Sequence, residues 1–116
     1  MQLPLQVTFR HLDRTDAIET NIRERAAKLE RFHDRITSCR VMVEPVNRSQ
    51  QKGNKYRVRI DMTVPGKELV VTREADQRQE HEDLYITIRN AFDAAQRQLE
   101  EFLDTRRDLT RQRAQG

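Results

Sequence analysis

Apolar and polar residues alternate along four short segments of this chain of 116 residues. In the first segment, residues 3–9, Leu5, Val7 and Phe9 alternate with polar neighbours, which is the period of a half-buried β-strand. The other three alternating segments are residues 39–44, 55–64 and 67–73. The sequence therefore predicts four strands, each with one apolar face.

Two longer segments repeat apolar residues every three or four positions, as in an amphipathic α-helix. The first helix is predicted to begin near Thr15 or Asp16 and to end within residues 33–35, and Asp16 with Glu19 has the spacing of a capping box. Its predicted buried stripe consists of Ile18, Ile22, Ala26, Leu29 and Phe32.

The second helix is predicted to begin at Asp83, whose carboxylate suits an N-cap position. Its predicted buried stripe consists of Tyr85, Ile88, Phe92, Ala95, Leu99 and Phe102 or Leu103. Residues 106–116 are predicted to be a basic, flexible tail. The arginines of this tail are Arg106, Arg107, Arg111 and Arg113.

The elements follow the order β-α-β-β-β-α, which predicts the α+β class and a single domain over residues 1–105. Since each strand has one apolar face, both helices should cover the same face of a four-stranded mixed sheet, giving a two-layer sandwich. The helix between the first two strands predicts that they are parallel. The polar segment 47–54 and the turn at Pro65-Gly66 predict antiparallel hairpins for the rest.

Composition narrows the classes of function. Charged residues make up 35% of the chain and hydrophobic residues also 35%, with a net charge of +3, so an anion-binding surface requires segregated charges. A single cysteine, Cys39, cannot form an internal disulfide and suits the reducing cytoplasm. No apolar run approaches the roughly 20 residues of a membrane helix, and the N-terminus lacks the pattern of a signal peptide.

The charges of the first helix are sorted when its residues are projected at 100° per residue. Lys28, Arg31 and Arg35 follow one flank of the apolar stripe, and Arg25 lies at its edge. A basic flank of this kind can hold a phosphate backbone. The alternative is an ordinary solvated helix whose charges pair at i,i+4 spacing.

Two other sets of cations are candidates for RNA binding. On the third strand, Arg57 and Arg59 face the open side of the sheet, where they could bind RNA or protect the sheet from aggregation. Lys55 and Arg40 accompany them there. On the second helix, Arg97 stands between Asp93 and Glu101, which predicts a self-neutralising surface.

The predicted C-terminal tail also has two possible interpretations. Arg106 and Arg107 could reach phosphates, or the tail could be a solubilising end.

The sequence does not indicate an enzyme. Metal-binding HExxH spacing, phosphate-binding glycine loops and the GxSxG nucleophile motif are all missing. His11 and His33 have no partner visible in the sequence, and His81, Glu82 and Asp83 are adjacent, so their side chains diverge. We therefore expect no catalytic residue, no metal, no cofactor and no small-molecule substrate.

Several segments, in this order and spacing, resemble one protein family over residues 3 to about 105. They are Ala26-Ala27-Lys28-Leu29-Glu30-Arg31-Phe32, Asp34-Arg35-Ile36, His81-Glu82-Asp83-Leu84-Tyr85, Ile88 and Arg97-Gln98-Leu99. The chain resembles the short form of the ribosome hibernation promoting factor / ribosome-associated translation inhibitor family, also called sigma-54 modulation proteins. The resemblance implies two helices on a four-stranded sheet.

The resemblance also implies a partner and a mechanism. Family members occupy the mRNA and tRNA channel of the small ribosomal subunit and thereby block translation in stress, with basic side chains on ribosomal RNA. Lys28, Arg31 and Arg97 match basic positions of the family pattern, whereas Ala94 and Glu101 stand where members often carry lysine. Two alternatives stay open: a general module for structured RNA, and a protein-interaction module that forms a weak homo-oligomer through a sheet edge.

Overall fold

A computed structural model describes residues 4–46, 56–74 and 81–115, with the side chains of 81–83 and 106–115 not included. The elements are β1 (Leu5–Phe9), α1 (Asp16–Phe32), β2 (Ser38–Pro45), β3 (Tyr56–Val64), β4 (Lys67–Glu74) and α2 (His81–Gln115). This confirms the predicted order β-α-β-β-β-α. The predicted loop at 47–54, Leu3 and Lys55 lie outside the described residues.

The four strands form one mixed sheet in the order β1-β2-β3-β4. β1 pairs with β2 in parallel, and β2-β3 and β3-β4 are antiparallel, as predicted. The register places Val7 beside Val41, Val41 beside Ile60 and Ile60 beside Val71. These four residues are all buried. The alternation of apolar and polar residues along each strand fixes this register, because a shift by one residue would turn the apolar side chains away from the core.

Both helices cover this apolar face. The buried residues of β2, β3 and β4 are Cys39, Val41, Val43, Tyr56, Val58, Ile60, Met62, Val64, Leu69 and Val71. They join one core cluster with Ile22 and Ala26 of α1 and with Ile88, Ala95 and Leu99 of α2. On the opposite face of the sheet lies no helix of the described chain, and this face carries the charged residues considered below.

Two residues of the predicted stripes lie outside the core. Phe32 is 63% exposed, because α1 ends at this residue and the chain turns away at His33. Tyr85 is 37% exposed, whereas Leu84 and Ala91 are buried, so the buried stripe of α2 starts one residue earlier than predicted. The prediction of Phe32 and Tyr85 as core residues was wrong.

The predicted capping box of α1 is also wrong. Thr15 is the N-cap residue, and its side chain makes no capping hydrogen bond. Asp16 and Glu19 both lie inside the first turn, where their negative charges favour the positive end of the helix dipole. The Glu19 carboxylate accepts hydrogen bonds from Arg14 and Arg23 instead of from the helix start.

Helix α2 differs from its prediction at both ends. The helix begins at His81, so Asp83 lies in its first turn and not at the N-cap position. The helix continues to Gln115, which includes most of the predicted tail. The flexibility of residues 106–116 and the domain boundary at residue 105 stay predictions.

The single thiol is enclosed in the core. Cys39 has no exposed surface, and burial, with the nearby charge of Asp61, raises its pKa to about 12. At pH 8 only about one thiol in ten thousand should therefore be ionised in the folded protein, against roughly a quarter for a free cysteine.

We expect Cys39 to resist a thiol reagent such as DTNB at pH 8 until urea unfolds the domain. Following the absorbance of the released thionitrobenzoate in native and denaturing buffer measures both rates. Equal rates in the two buffers would contradict the enclosed position of this side chain.

Candidate nucleic-acid interface

Helix α1 and the turn that follows it carry exposed cations that have no carboxylate partner among the described residues. Lys28 and Arg31 of α1 and Arg35 are exposed, and none of them forms an ion pair with a residue that the structure describes. Arg35 was predicted to continue the flank of the helix, but α1 ends at Phe32, so Arg35 lies in the turn after it. Arg25 is half-buried, and its Nε donates a hydrogen bond to Asn21 Oδ1 at 3.1 Å. The positive charge of this flank, which we call the basic flank (Arg25, Lys28, Arg31 and Arg35), is therefore available to a ligand.

The other flank of α1 differs because its cations are neutralised. Glu19 lies between two arginines, with Oε1 2.7 Å from Arg14 Nη1 and Oε2 2.9 Å from Arg23 Nε. The hydrogen bond from Arg23, followed by that from Arg14, lowers the pKa of the Glu19 carboxyl. The predicted sorting of charge on α1 is thus accompanied by a difference in pairing, since among the residues that the structure describes only the basic flank keeps unpaired cations.

The cations on the open face of the sheet are also paired. Arg57 Nη2 lies 2.9 Å from Glu74 Oε2, and its Nη1 lies 3.5 Å from Glu44 Oε1. Arg59 Nε lies 2.9 Å from Asp61 Oδ1. The two contacts of Arg57 follow from the register, which places Glu44 and Glu74 on either side of it, whereas Arg59 and Asp61 are two residues apart on β3.

Arg40 completes this cross-strand network from β2. Its Nη2 lies 3.4 Å from Asp61 Oδ2 and 2.9 Å from Glu68 Oε2. The hydrogen bond to Glu74 raises the pKa of Arg57, and that to Asp61 raises the pKa of Arg59, so both arginines are held in their charged form by neighbouring carboxylates. This arrangement favours the protective interpretation of the sheet arginines over a phosphate-binding one.

Arg97, the predicted RNA-binding residue of α2 whose side chain the structure describes, takes no part in a carboxylate network like that of the sheet. Arg97 is exposed and makes no ion pair with Asp93 or Glu101, despite the i,i+4 spacing that predicted one. It lies in a groove beside β4 that Ala94 and Glu101 also line. The side chains of Arg106 and Arg107 lie outside the described residues.

A junction between the two helices was not visible in the sequence. The chain turns at His33 after α1, and His33 Nε2 is buried without a hydrogen-bond partner, 3.8 Å from Glu100 Oε2 on α2. Only the packing of the two helices creates this contact, so no local pattern could have indicated it. The contact shows that the end of α1 lies beside Glu100 of α2.

Two further observations bear on the class of protein. No group of three or more histidine, cysteine or acidic residues in the described part of the chain could hold a metal ion. Over the same residues, no helix is long and apolar enough to cross a membrane.

Together, the fold and the arrangement of charges define a class: a small two-layer α+β domain with one helix flank whose cations are unpaired within the described part of the chain. Within this class the chain belongs to a particular family, the sigma 54 modulation protein / S30EA ribosomal protein family, whose model matches residues 5–107.

Three similar proteins can be compared with this chain. A ribosome hibernation promoting factor of Azotobacter vinelandii is 33% identical over 97 residues, which cover 84% of this chain and 79% of that protein. The N-terminal domain of Thermus thermophilus Protein Y matches with a TM-score of 0.65 and 27% identity, over 88% of this chain and 99% of that structure. A ribosomal subunit interface protein from Coxiella burnetii has the same fold, with a TM-score of 0.71 at 17% identity and the same two coverages.

Proposed function

We propose that this protein binds the ribosome and inhibits translation, acting as a hibernation factor without catalysis of its own. Membership of the family and the name of the relative from Azotobacter vinelandii support this function. In the finer form of the proposal, the domain occupies the mRNA and tRNA channel of the small subunit and holds ribosomal RNA through its basic side chains.

The observation that carries the proposal is the contrast between the basic flank and the other cations. Lys28, Arg31 and Arg35 are exposed and unpaired among the described residues, whereas Arg40, Arg57 and Arg59 each contact a carboxylate. A paired arginine must share or leave its carboxylate when it meets a phosphate, but an unpaired cation only has to release water. We therefore infer that α1 presents the main phosphate-binding surface.

Binding through phosphates has a measurable consequence. Each phosphate that a cation neutralises releases condensed counterions, so affinity falls steeply as salt is added. Blocking the channel requires no chemical step, because the folded domain excludes mRNA and tRNA by its volume alone.

Sedimentation of the purified protein with ribosomes tests this proposal. The protein should travel with 30S subunits at low ionic strength and be released progressively at higher ionic strength. Free duplex RNA, added in excess as a competitor, should not displace it. Effective competition by duplex RNA would identify a general RNA-binding module instead, and failure to sediment with ribosomes at any salt concentration would refute the proposal.

The pairing of the sheet cations predicts a difference between two matched variants. Arg57→Gln with Arg59→Gln, and Lys28→Gln with Arg31→Gln, each remove two positive charges. We expect the helix variant to lose roughly ten times more ribosome affinity, since it removes unpaired cations. Equal losses, measured by sedimentation at one salt concentration, would place the open face of the sheet within the interface.

A further inference from the structure

A groove follows the outer edge of β4, between this strand and helix α2. Arg73 and Arg97 line one end of it, Lys67 lies at the other end, and Gln98 and Glu101 line both halves. The groove lies between the last strand of the sheet and the helix, so it is distinct from the basic flank of α1.

The strand beside the groove has an open edge. β4 pairs with β3 on one side and with no other strand of the described chain on the other. The outer backbone N–H and C=O groups of such an edge can pair with an added strand. Val70, which is 40% exposed, lies in the middle of this edge.

The side chains of β4 that lie on the helix side of the sheet indicate which kind of ligand the groove could bind. Lys67 pairs in register with Val64 and Arg73 with Val58, which places both cations on the helix side of the sheet, with buried Leu69 and Val71 between them. Two cations at the ends and two apolar residues between them thus face the groove.

Neither cation is neutralised within the described residues. Lys67 Nζ lies over the ring of Phe102, 5.6 Å from its centroid. Arg73 Nη1 donates a hydrogen bond to the carbonyl of Thr72 at 2.8 Å. With Arg97 nearby and Glu101 as the acidic residue of the lining, the groove is on balance positive.

We propose that this groove binds an extended acidic peptide of a partner protein, which adds to β4 as a fifth strand. The peptide backbone would continue the hydrogen-bonding ladder of the sheet. Its inward side chains would be a carboxylate opposite Arg73, two apolar residues opposite Val71 and Leu69, and a second carboxylate opposite Lys67. This partner is additional to the ribosome of the proposed function.

The charges of β4 argue against a second copy of the chain as the occupant. Directly opposite residues of antiparallel strands point to the same face, so a symmetric pair of β4 strands must be centred on one residue. Pairing centred on Val70 would place Lys67 opposite Arg73, and pairing centred one residue later would place Glu68 opposite Glu74. Like charges directly opposite each other are unfavourable in a sheet, so both of these registers are disfavoured.

A designed peptide provides the test. The fluorescein-labelled peptide Glu-Thr-Val-Thr-Val-Lys-Glu carries carboxylates and valines on one face and places lysine opposite Glu68. We expect saturable binding by fluorescence polarisation at low salt, with NMR amide shifts centred on β4. The same peptide N-methylated at alternate residues, which cannot form the ladder, should bind at least tenfold more weakly.

Charge reversal locates the site. Arg73→Glu should weaken peptide binding at least tenfold, and a peptide with lysine in place of the opposing glutamate should restore it. Arg10→Glu makes the same change of charge at an exposed position outside the groove and should leave binding unchanged.

Three outcomes would overturn the inference: equal binding by the N-methylated peptide, no effect of Arg73→Glu, or shifts centred on α1. Unchanged peptide binding by Arg73→Glu together with a loss of ribosome sedimentation would overturn the inference in the same way and assign the groove to RNA instead. Peptide binding by a protein that does not sediment with ribosomes would separate this inference from the proposed function.

Discussion

Reversing two charges of the basic flank, with Lys28→Glu and Arg31→Glu together, is expected to lower ribosome affinity on the order of tenfold to a hundredfold. Both side chains are exposed and unpaired among the described residues, so each glutamate would repel the phosphate that its predecessor attracted. The slope of log affinity against log salt should also fall by about 2, for the two lost phosphate contacts. Sedimentation at several salt concentrations measures both quantities.

A matched control makes the same change of charge outside the basic flank, at one position on α1 and one just after β1. Arg10→Glu with Arg23→Glu also exchanges two cations for two anions, but Arg23 lies on the flank where Glu19 already neutralises it. We expect this control to lose much less affinity at the same salt concentration. Comparable losses in the two double variants would indicate that net charge, and not the basic flank, drives binding.

Folding has to be checked in both variants, since an unfolded domain would also lose binding. Surface substitutions of this kind usually change the free energy of unfolding by no more than about 0.5 kcal/mol. Urea unfolding followed by circular dichroism should therefore give nearly the same midpoint for the parent and for the basic-flank variant.

The second large effect concerns the packing of α2 on the sheet. Leu99 is fully buried in the core cluster, and Leu99→Ala is expected to lower the free energy of unfolding by about 3 kcal/mol. The cost combines the lost burial of the side chain with the cavity left between α2 and the strands. The measurement is the urea midpoint, with the m-value expected to stay constant.

Phe32→Ala is the informative comparison, because the sequence pattern placed both residues in apolar stripes. Phe32 is 63% exposed, so its truncation should cost within about 0.5 kcal/mol. A cost for Phe32→Ala as large as that for Leu99→Ala would show that the end of α1 is packed more tightly than its exposure indicates.

The strands could be predicted because their alternation of apolar and polar residues allows only one face of each strand to be buried. In β3, the alternate residues Tyr56, Val58, Ile60, Met62 and Val64 are all buried, and a shift of one residue would expose every one of them. Helices are less constrained: Leu84, Tyr85 and Ile86 are consecutive and apolar, so spacing alone could not decide which of them faces the sheet. The error at Tyr85 arises from this ambiguity of phase.

The charged residues of the candidate interface also include some whose arrangement the sequence could predict and some whose arrangement it could not. The two flanks of α1 could be separated from the sequence, since the geometry of one helix relates residues a few positions apart. The partners of Arg57 could not, because Glu44 and Glu74 reach it only through the register of three strands. The contact of His33 with Glu100 likewise depends on how two helices pack, which no local pattern encodes.

The enclosed position of Cys39 has a practical consequence for placing the protein on its target. Because the chain has one cysteine and its pKa is raised to about 12, a cysteine introduced at a surface position would be the one that a maleimide modifies. A cleavage reagent or a fluorophore could then be attached at a chosen point of either helix without first removing the natural thiol. Cuts in nearby RNA, or energy transfer from labelled RNA, would map the orientation of the bound domain.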